Sequence, residues 1–460
     1  MTGPLQGIRV VDLSWVLAGP FATMVLNDLG AEVIKVEQPG RGDIARGNGP
    51  FVGGYSSYFL SLNRGKKSLT LNLADDTGRD IFLRLVERSD VVVENFIPGT
   101  MRRLGLDYDV LSERNPRIIY AACSGFGRTG PYAHKPAFDV VVQAMGGIMS
   151  ITGEPGGPPV RPGASMGDIT AGLFLCIGIL AAIEERHTSG RGQLVDISML
   201  DCQVAIMENA LARYFATGDV PGPLGTRHPV FTPFQAFRAS DGHVAVAIHG
   251  DQWPLFCATI GRLDIMDDPR FADGYLRTQH YTDLEPVFRE VFSAKTVKEW
   301  LAEFEAVGIP CGPVNTVEDL VQDPQVQSRN MLVGLPLGDG GEFKVANTPV
   351  KLSRTLGGVR GPSPALGEHT DQVLRDVLGL SRQDIARLRR SGVVSPRSPV
   401  PLVGPCSKVV RYVRSKAEGA RGAMQPSMSL CGHGAVAAPR EALPPQATRR
   451  LKWTSIRWAM

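Results

Sequence analysis

The sequence is poor in cysteine and in aromatic residues. Its seven cysteines are odd in number and widely spaced, and they never form a C-x-x-C pair, which excludes a disulfide framework and the common zinc-site patterns. Aromatic residues make up 7% and charged residues 21%, while hydrophobic residues make up 43%, as in an ordinary folded globular chain. We therefore expect reduced thiols and no bound metal.

Long apolar runs are also scarce. The longest, Ile169 to Ile183, is about five residues short of the roughly 20 residues that cross a bilayer, so we predict a buried helix there and no membrane partner. A strand-like run lies within the first dozen residues, which leaves no room for a secretory leader. We expect a cytoplasmic protein.

Acidic residues are scarce at the C-terminal end. Residues 397–460 hold eleven of the 49 Lys and Arg residues but only two of the 46 acidic residues, so residues 1–396 carry 38 bases against 44 acids. Residues 395–460 are rich in Pro, Ala, Arg and Ser and have no apolar period, which predicts a basic, disordered tail. Its few aromatic residues do not alternate with the charges as in a base-stacking surface, so we predict no nucleic-acid partner.

The first 200 residues alternate between strand-like and helix-like segments. Strands are predicted at 8–13, 31–37, 68–73, 90–96, 118–123 and 193–200, and helices from near Pro20, at 76–89, around Asp139–Ser150 and from near Asp168. This alternation predicts parallel strands joined by right-handed crossovers, and hence a doubly wound α/β sheet.

The pattern changes near Gly218, where Pro and Gly separate shorter segments. A strand at 242–248 and a helix at 296–308 are predicted there, followed by short strands and one helix, near Thr370–Leu378, in 330–394. We predict a large α/β domain formed from both ends of the folded region, at 1–217 and 329–394, with a smaller α+β domain inserted at 218–328.

Two local motifs are ambiguous. Residues 125–130 read GFGRTG and match G-x-G-x-x-G, but Pro131 and Pro136 obstruct the helix that a dinucleotide site requires. Asp168 directly precedes an apolar run, where the N–H groups and dipole of a helix start favour an ionised carboxylate. An ordinary N-cap is the commoner role for such an Asp, so the residues alone leave capping and catalysis open.

Seven ordered blocks resemble the class III CoA-transferases, the family of formyl-CoA transferase, carnitine CoA-transferase and the succinyl-CoA:dicarboxylate enzymes. They include PLQGIRVVDLSWVLAGPFATMVLNDLGAEVIKVEQPGRGD (4–43), NRGKKSLTLNL (63–73), VENFIPGTMRRLGLDY (93–108), SGFGRTGPY (124–132) and GDITAGLFLCIGILAAIEERHTSGRGQLVDISML (167–200). The resemblance implies an interlocked-ring homodimer, an acyl-CoA donor, a carboxylic acid acceptor and no tightly bound cofactor beyond the CoA thioester used as substrate.

The resemblance also implies that Asp168 is the covalent nucleophile. Its carboxylate would attack the thioester to give a mixed anhydride, which CoA thiolate converts to an aspartyl-CoA thioester before the acceptor acid reverses the sequence. These steps need no general base, but water must be excluded because it would hydrolyse the anhydride.

Ten residues are implied in CoA binding, where cations and N–H groups would meet the phosphates. They are Val16, Leu17, Gln38, Asn63, Lys66, Lys67, Ser68, Asn95, Phe96 and Arg103. Leu17 and Gln38 stand where formyl-CoA transferase has Gln and Arg, which weakens formate or oxalate as the acid. A dicarboxylate such as succinate or glutarate is favoured, with Arg161 and His228 as candidate contacts to the acceptor, although an ordinary structural role stays open for both.

Two alternatives compete with a transferase. The blocks also resemble α-methylacyl-CoA racemase, which uses a His–Asp pair in the region that here reads AFDVV (137–141). Phe138 replaces that His and cannot accept a proton. A non-catalytic CoA-binding subunit is the other alternative, against which the presence of Asp168 argues.

Overall fold

The computed structural model describes residues 3–337 and 340–398. The predicted tail therefore lies outside the described residues, apart from residues 395–398. Five cysteines lie in the described part, and each is a free thiol.

Six parallel strands form the central sheet. They are β1 (Arg9–Asp12), β2 (Glu32–Glu37), β3 (Lys67–Thr70), β4 (Val91–Glu94), β5 (Ile119–Ser124) and β6 (Leu194–Ser198). Their spatial order is β3-β2-β1-β4-β5-β6, and every neighbouring pair is parallel. The winding reverses between β1 and β4, as in doubly wound α/β folds. The predicted parallel α/β sheet is confirmed.

Seventeen α-helices lie within the described residues. They are α1 (Ala18–Asp28), α2 (Ser57–Leu62), α3 (Asp76–Val86), α4 (Thr100–Arg103), α5 (Tyr108–Arg114), α6 (Asp139–Met145), α7 (Met166–Ser189), α8 (Met199–Ile206), α9 (Glu208–Thr217), α10 (Trp253–Thr259), α11 (Gly274–Gln279), α12 (Tyr281–Ser293), α13 (Val297–Ala306), α14 (Val317–Gln322), α15 (Pro324–Ser328), α16 (Thr370–Asp376) and α17 (Arg382–Arg390).

Alternate residues of the strands bury the two faces of the sheet in separate cores. Val10 is level with Val33 and Val91, and this row packs against α1 and α7. Val11 and Ile34 face the other way and pack with α3, α5, α16 and α17. Strands covered by helices on both faces bury apolar residues on both sides, which is why the sequence shows apolar runs such as Val10–Val11 and Val91–Val93 here.

Helix α7 is the longest helix of the described part and packs against β5 and β6 at one side of the sheet, with α1 beside it. By length and composition alone it is apolar enough to span a membrane, but half of the relevant stretch is buried. Leu175, Ile179 and Ile183 lie in the core beneath the sheet. We therefore interpret α7 as a core helix.

A separate core lies within residues 237–309. Three antiparallel strands support it, β7 (Phe234–Arg238), β8 (His243–Ala247) and β9 (Cys311–Pro313), and a hairpin of β10 (Leu332–Pro336) and β11 (Glu342–Ala346) follows. Its centre is aromatic, with the rings of Phe237 and Phe292 stacked at 4.0 Å. A further short hairpin pairs residues 51–52 with 55–56. The predicted domain limits at 217, 328 and 394 stay predictions.

The C-terminal segment packs beside β3. The His369 N–H donates to Ser68 O at 2.9 Å, and the Thr70 N–H donates to Thr370 Oγ1 at 3.1 Å. The prediction of one helix beyond residue 330 is wrong, because α17 follows α16.

The predicted strand at 193–200 is too long at its end. It stops at Ser198, whose side chain accepts a hydrogen bond from the Asp201 N–H and caps α8. Helices α8 and α9 follow, in residues for which the sequence predicted no helix.

Candidate active site

An open cleft lies at the carboxyl ends of the strands, beside the point where the winding reverses. It encloses about 360 Å³ including its mouth, and Trp15, Gln38, Leu73 and Phe96 are among the residues that line it. The Trp15 and Phe96 rings meet edge to face with centroids 5.9 Å apart. Ligands of doubly wound sheets bind at this position, and the cleft brings together Gln38 and Phe96 from the predicted set.

The loop from β1 to α1 forms one side of this region. The Asn95 side chain holds it from β4, because its Oδ1 accepts from the Trp15 N–H and its Nδ2 donates to Trp15 O, both at 2.8 Å. Val16 and Leu17 follow directly. Three more predicted residues, Val16, Leu17 and Asn95, are therefore close to the cleft.

Three other predicted CoA-binding residues lie in the interior. Lys66 Nζ has no exposed surface and bonds to Asp12 Oδ2 at 3.0 Å and to Asn63 Oδ1 at 2.9 Å. Burial is the strongest influence on Lys66 and lowers its pKa to about 8, although the Asp12 charge opposes this. Ser68 Oγ donates to Glu37 Oε2 at 2.6 Å. These placements differ from the phosphate contacts that the resemblance implies.

Lys67 and Arg103 lie apart from one another near the surface. Lys67 Nζ pairs with Glu32 Oε1 at 2.5 Å across β3 and β2. Arg103 is exposed on α4, just beyond the end of β4, and donates to Thr100 Oγ1 at 2.9 Å. Of the predicted cations, Arg103 is the one placed beyond the carboxyl end of the sheet with an exposed guanidinium.

Asp168 lies in the first turn of α7, which begins at Met166. The residue before the helix, Ser165, makes no side-chain cap. The cap comes instead from Asp139, whose Oδ1 accepts from the Gly167 N–H at 2.9 Å and from the Asp168 N–H at 3.4 Å. The start of α7 is thus capped by a carboxylate from another helix, and the Asp168 side chain is left for another role.

The electrostatic surroundings of Asp168 differ from the expectation. Burial and then the nearby Asp139 charge raise the pKa of Asp168 to about 7, while Arg161 acts in the opposite direction. Burial and the Asp139 charge thus oppose the ionised form that the sequence predicted at the helix start, and Asp139 also accepts from the Gly167 and Asp168 N–H groups there. A carboxyl with this pKa titrates near neutral pH.

Arg161 belongs to the same group. Its Nη2 lies 2.6 Å from Asp139 Oδ2 and 3.0 Å from Ser165 Oγ. The side chain is 37% exposed, so part of the guanidinium is open to a ligand. The structure brings together Asp168, Asp139 and Arg161.

His228 lies elsewhere, in the segment that precedes β7. Its Nδ1 accepts from the Val230 and Phe231 N–H groups, each at 3.2 Å, and its ring stacks on Phe231 at 5.1 Å. Burial and the Arg213 charge lower the pKa of His228. These contacts stabilise its own loop, and the predicted contact of His228 with the acceptor acid stays a prediction.

Tyr58 lies within electrostatic reach of Asp168 and packs near the loop after β1. Burial, and then the charges of Asp168, Asp43 and Asp139, raise the pKa of Tyr58 to about 12. The same side chain packs against the small core that contains Leu17. No sequence motif pointed to Tyr58 or to Asp43, because their importance arises from contacts between distant segments.

Comparisons with known proteins agree with this architecture. A family model described as CoA-transferase family III matches residues 5–370. The chain belongs to this family. It is 43% identical to an acetyl-CoA:oxalate CoA-transferase of Acetobacter aceti, over 76% of this chain and 90% of that protein. It is 38% identical to a mouse succinyl-CoA:glutarate CoA-transferase, over 85% of this chain and 90% of that protein.

Solved structures give the same result. A crystal structure of a CaiB/BaiF family protein from Brucella suis superposes with a TM-score of 0.74 at 37% identity, covering 82% of this chain and all of that one. The chain is thus an enzyme of the class III CoA-transferase type, and its substrates are CoA thioesters. Phe138, which stands where the racemase has its His, directly precedes α6 and is 59% exposed.

Proposed function

We propose that this class III CoA-transferase moves CoA from an acyl-CoA to a dicarboxylic acid, with Asp168 as the covalent nucleophile. The observation that carries the proposal is the Asp168 carboxylate in the first turn of α7, with its backbone N–H groups capped by Asp139. A residue that served only as the cap of α7 would bond to those N–H groups itself. The Asp168 side chain does not cap the helix.

The proposed reaction is a series of exchanges between carboxylate and thiolate. Ionised Asp168 attacks the thioester carbonyl, and the carbon–sulfur bond breaks to release CoA thiolate and leave an acyl-aspartyl anhydride. The thiolate attacks the aspartyl carbonyl, which gives aspartyl-CoA and frees the donor acid. The acceptor carboxylate then attacks aspartyl-CoA, and the released thiolate takes up the acceptor's acyl group and regenerates Asp168.

A dicarboxylic acceptor is supported by Arg161. One carboxylate of the acid must reach Asp168, and a partly exposed guanidinium nearby offers a partner for the second. Relatives at 38–43% identity are named as an acetyl-CoA:oxalate and a succinyl-CoA:glutarate CoA-transferase, and oxalate and glutarate are both dicarboxylic acids. We infer the same class of acceptor here.

The alternatives find less support. A racemase needs a proton acceptor where this chain has Phe138. A CoA-binding subunit without catalysis would not need Asp168, which the structure does not use to cap α7.

We also propose a homodimer that acts in the cytoplasm. Exposed apolar side chains on α7, α8 and α9 support the dimer, namely Leu173, Phe174, Ile177, Val204 and Phe215. Free thiols among the described cysteines support a reducing compartment.

The proposal is tested by intact-mass spectrometry after mixing the protein with succinyl-CoA. We expect a covalent CoA adduct that hydroxylamine removes and that is absent from Asp168→Asn, whose amide has the same shape but cannot act as the nucleophile. Adding glutarate should discharge the wild-type adduct and produce glutaryl-CoA. A panel of other acyl-CoA donors and acids then defines the substrates.

The matched control is Asp201→Asn, which changes an exposed carboxylate in the first turn of α8. It should form the adduct like the wild type. An adduct on Asp168→Asn, or none on the wild type with any donor, would refute the proposed nucleophile.

A further inference from the structure

The backbone between β1 and α1 has an unusual conformation at Val16. Its φ is 66°, in the left-handed region, where a β-branched residue is a clear outlier. Among the described residues Asn330 is the other non-glycine residue with positive φ, and asparagine tolerates that region. Such a conformation persists only where its surroundings impose it, and it is commonest at functional sites.

A buried ion pair holds this backbone from two sides. The Val16 N–H donates to Asp43 Oδ1 at 3.3 Å, and Lys35 Nζ donates to Ser14 O at 2.7 Å. Lys35 Nζ and Asp43 Oδ2 lie 2.9 Å apart, and neither side chain has any exposed surface. The ion pair therefore links the Ser14 carbonyl to the Val16 N–H, the backbone groups on either side of Trp15.

Stability alone is a poor explanation for this pair. Removing two charges from water opposes folding, and buried ion pairs often contribute little net stability compared with apolar residues of similar volume. A pair whose two ends both contact one loop has a more specific effect, because it fixes the conformation of that loop.

The fixed segment lies between the cleft and Asp168. Leu17 precedes α1 without a side-chain cap, so the first N–H groups of α1 lack the usual partner. Gly172, one turn after Asp168, packs so closely that a Cβ there would lie 2.7 Å from Ala18 O. The loop and the nucleophile are thus held in contact through α1 and α7.

We propose that Lys35 and Asp43 are positioning residues that hold Val16 in its left-handed conformation, so that the N–H groups of Leu17 and Ala18, which follow it, face the thioester bound beside Asp168. The inference rests on the proposed function. The pair touches neither substrate, and acts by setting the direction of the backbone N–H groups. If the pair is lost, the loop relaxes and the thioester is misplaced relative to the nucleophile.

The test combines Asp43→Asn with Val16→Gly, because glycine adopts this φ without help. Asp43→Asn should slow single-turnover formation of the CoA adduct by about tenfold, as expected for a small misplacement of reacting groups. The double variant Asp43→Asn/Val16→Gly should recover most of that loss. Lys35→Met should resemble Asp43→Asn, and Val16→Gly should rescue it in the same way.

A matched control breaks another ion pair of the same domain. Asp90 pairs with Arg186 at 3.0 Å at the amino-terminal edge of the sheet. Asp90→Asn should lower the melting temperature and leave the rate of adduct formation unchanged. An unchanged rate in Asp43→Asn, or a folded Asp43→Asn chain whose rate Val16→Gly does not improve, would overturn the inference.

Thermal unfolding gives a readout that does not depend on activity. Val16→Gly should raise the melting temperature of the wild-type chain by relieving the outlier, and should raise it less in Asp43→Asn, where the loop has already relaxed. If the wild type forms no adduct, the proposed function fails while this comparison still decides whether the pair holds Val16. Equal increases in both backgrounds would show that it does not.

Discussion

The Asp139 carboxylate combines two roles that can be separated by mutation. Its Oδ1 accepts from the Gly167 N–H, and its Oδ2 accepts from Gln143 Nε2 at 2.7 Å and from Arg161 Nη2 at 2.6 Å. Its negative charge also raises the pKa of Asp168. Asparagine at position 139 keeps an acceptor for the helix start and removes the charge.

Asp139→Asn should shift the pH dependence of adduct formation to lower pH. Asp168 reacts in its ionised form, so the wild-type rate should rise with pH through its pKa of about 7. Without the Asp139 charge, and with Arg161 still positive, the ionised form is favoured and the midpoint falls. Single-turnover rates across neutral pH measure the shift. A midpoint that stays in place or rises would show that the Asp139 charge does not control Asp168.

Arg161→Met should have the opposite effect on that midpoint and should weaken binding of the acceptor. Loss of the cation removes the influence that lowers the pKa of Asp168. A hydrogen bond to a charged group contributes about 1.5–3 kcal/mol, so KM for glutarate should rise by about tenfold to a hundredfold. A monocarboxylic acceptor serves as the control, because it has no second carboxylate to lose. Equal increases in KM for both acids would remove Arg161 from acceptor recognition.

At the residue scale, the sequence predicted a functional residue only where a recognisable motif contains it. Asp168 stood out by its position before an apolar run and by the family blocks around it. The capping of α7 by Asp139 links residues 28 positions apart, and the Asp43 contact with Val16 spans 27 positions. Such pairings depend on how helices and loops pack, so no local pattern predicts them.

At the scale of elements, prediction succeeded where burial produces a long pattern. The strands of the central sheet carry runs of apolar residues that pack into the two cores, so all six were visible in the sequence. Helix α17 was missed because Ile385 and Leu388 are its only buried residues, too few to show a helical period. A local signal existed in the capping box formed by Ser381 and Asp384.

Helix α17 nevertheless stabilises the large sheet. Leu388 packs into the core beside α3 and α16, so Leu388→Ala should lower the free energy of unfolding by about 2–3 kcal/mol. Denaturant unfolding measures the change. Arg390→Ala on the exposed face of the same helix is the control, expected within about 0.5 kcal/mol of the wild type. Equal effects of the two substitutions would mean that α17 does not contribute to this core.

At the scale of the whole molecule, several large apolar side chains are exposed on α7 and its neighbours. Ile177 is 58% exposed on a helix whose other face is buried in the core. Large contiguous apolar patches on folded proteins usually mark interfaces. A second copy of the chain is the occupant that we propose.

Ile177→Glu should therefore weaken the proposed dimer, because assembly would bury an unpaired charge. Sedimentation or light scattering over a range of concentrations should show a larger monomer fraction than in the wild type. Leu263→Glu is the matched control, since Leu263 is 60% exposed in the segment between β8 and β9. A wild type that is monomeric at all concentrations would refute the dimer, and equal dissociation by both variants would refute this choice of surface.

A chain truncated after Ser398 should keep both activity and assembly. The family model ends at residue 370, and two hydrogen bonds hold the described end of the segment that follows it. The Ser395 N–H donates to Thr70 Oγ1 at 3.0 Å, and the Ser398 N–H donates to Leu366 O at 2.9 Å. Residues 399–460 also carry ten of the chain's 49 bases, so the truncated chain should have a lower isoelectric point. Adduct formation and dimer mass should match the full-length protein. Loss of either would show that the basic tail contributes to the transferase itself.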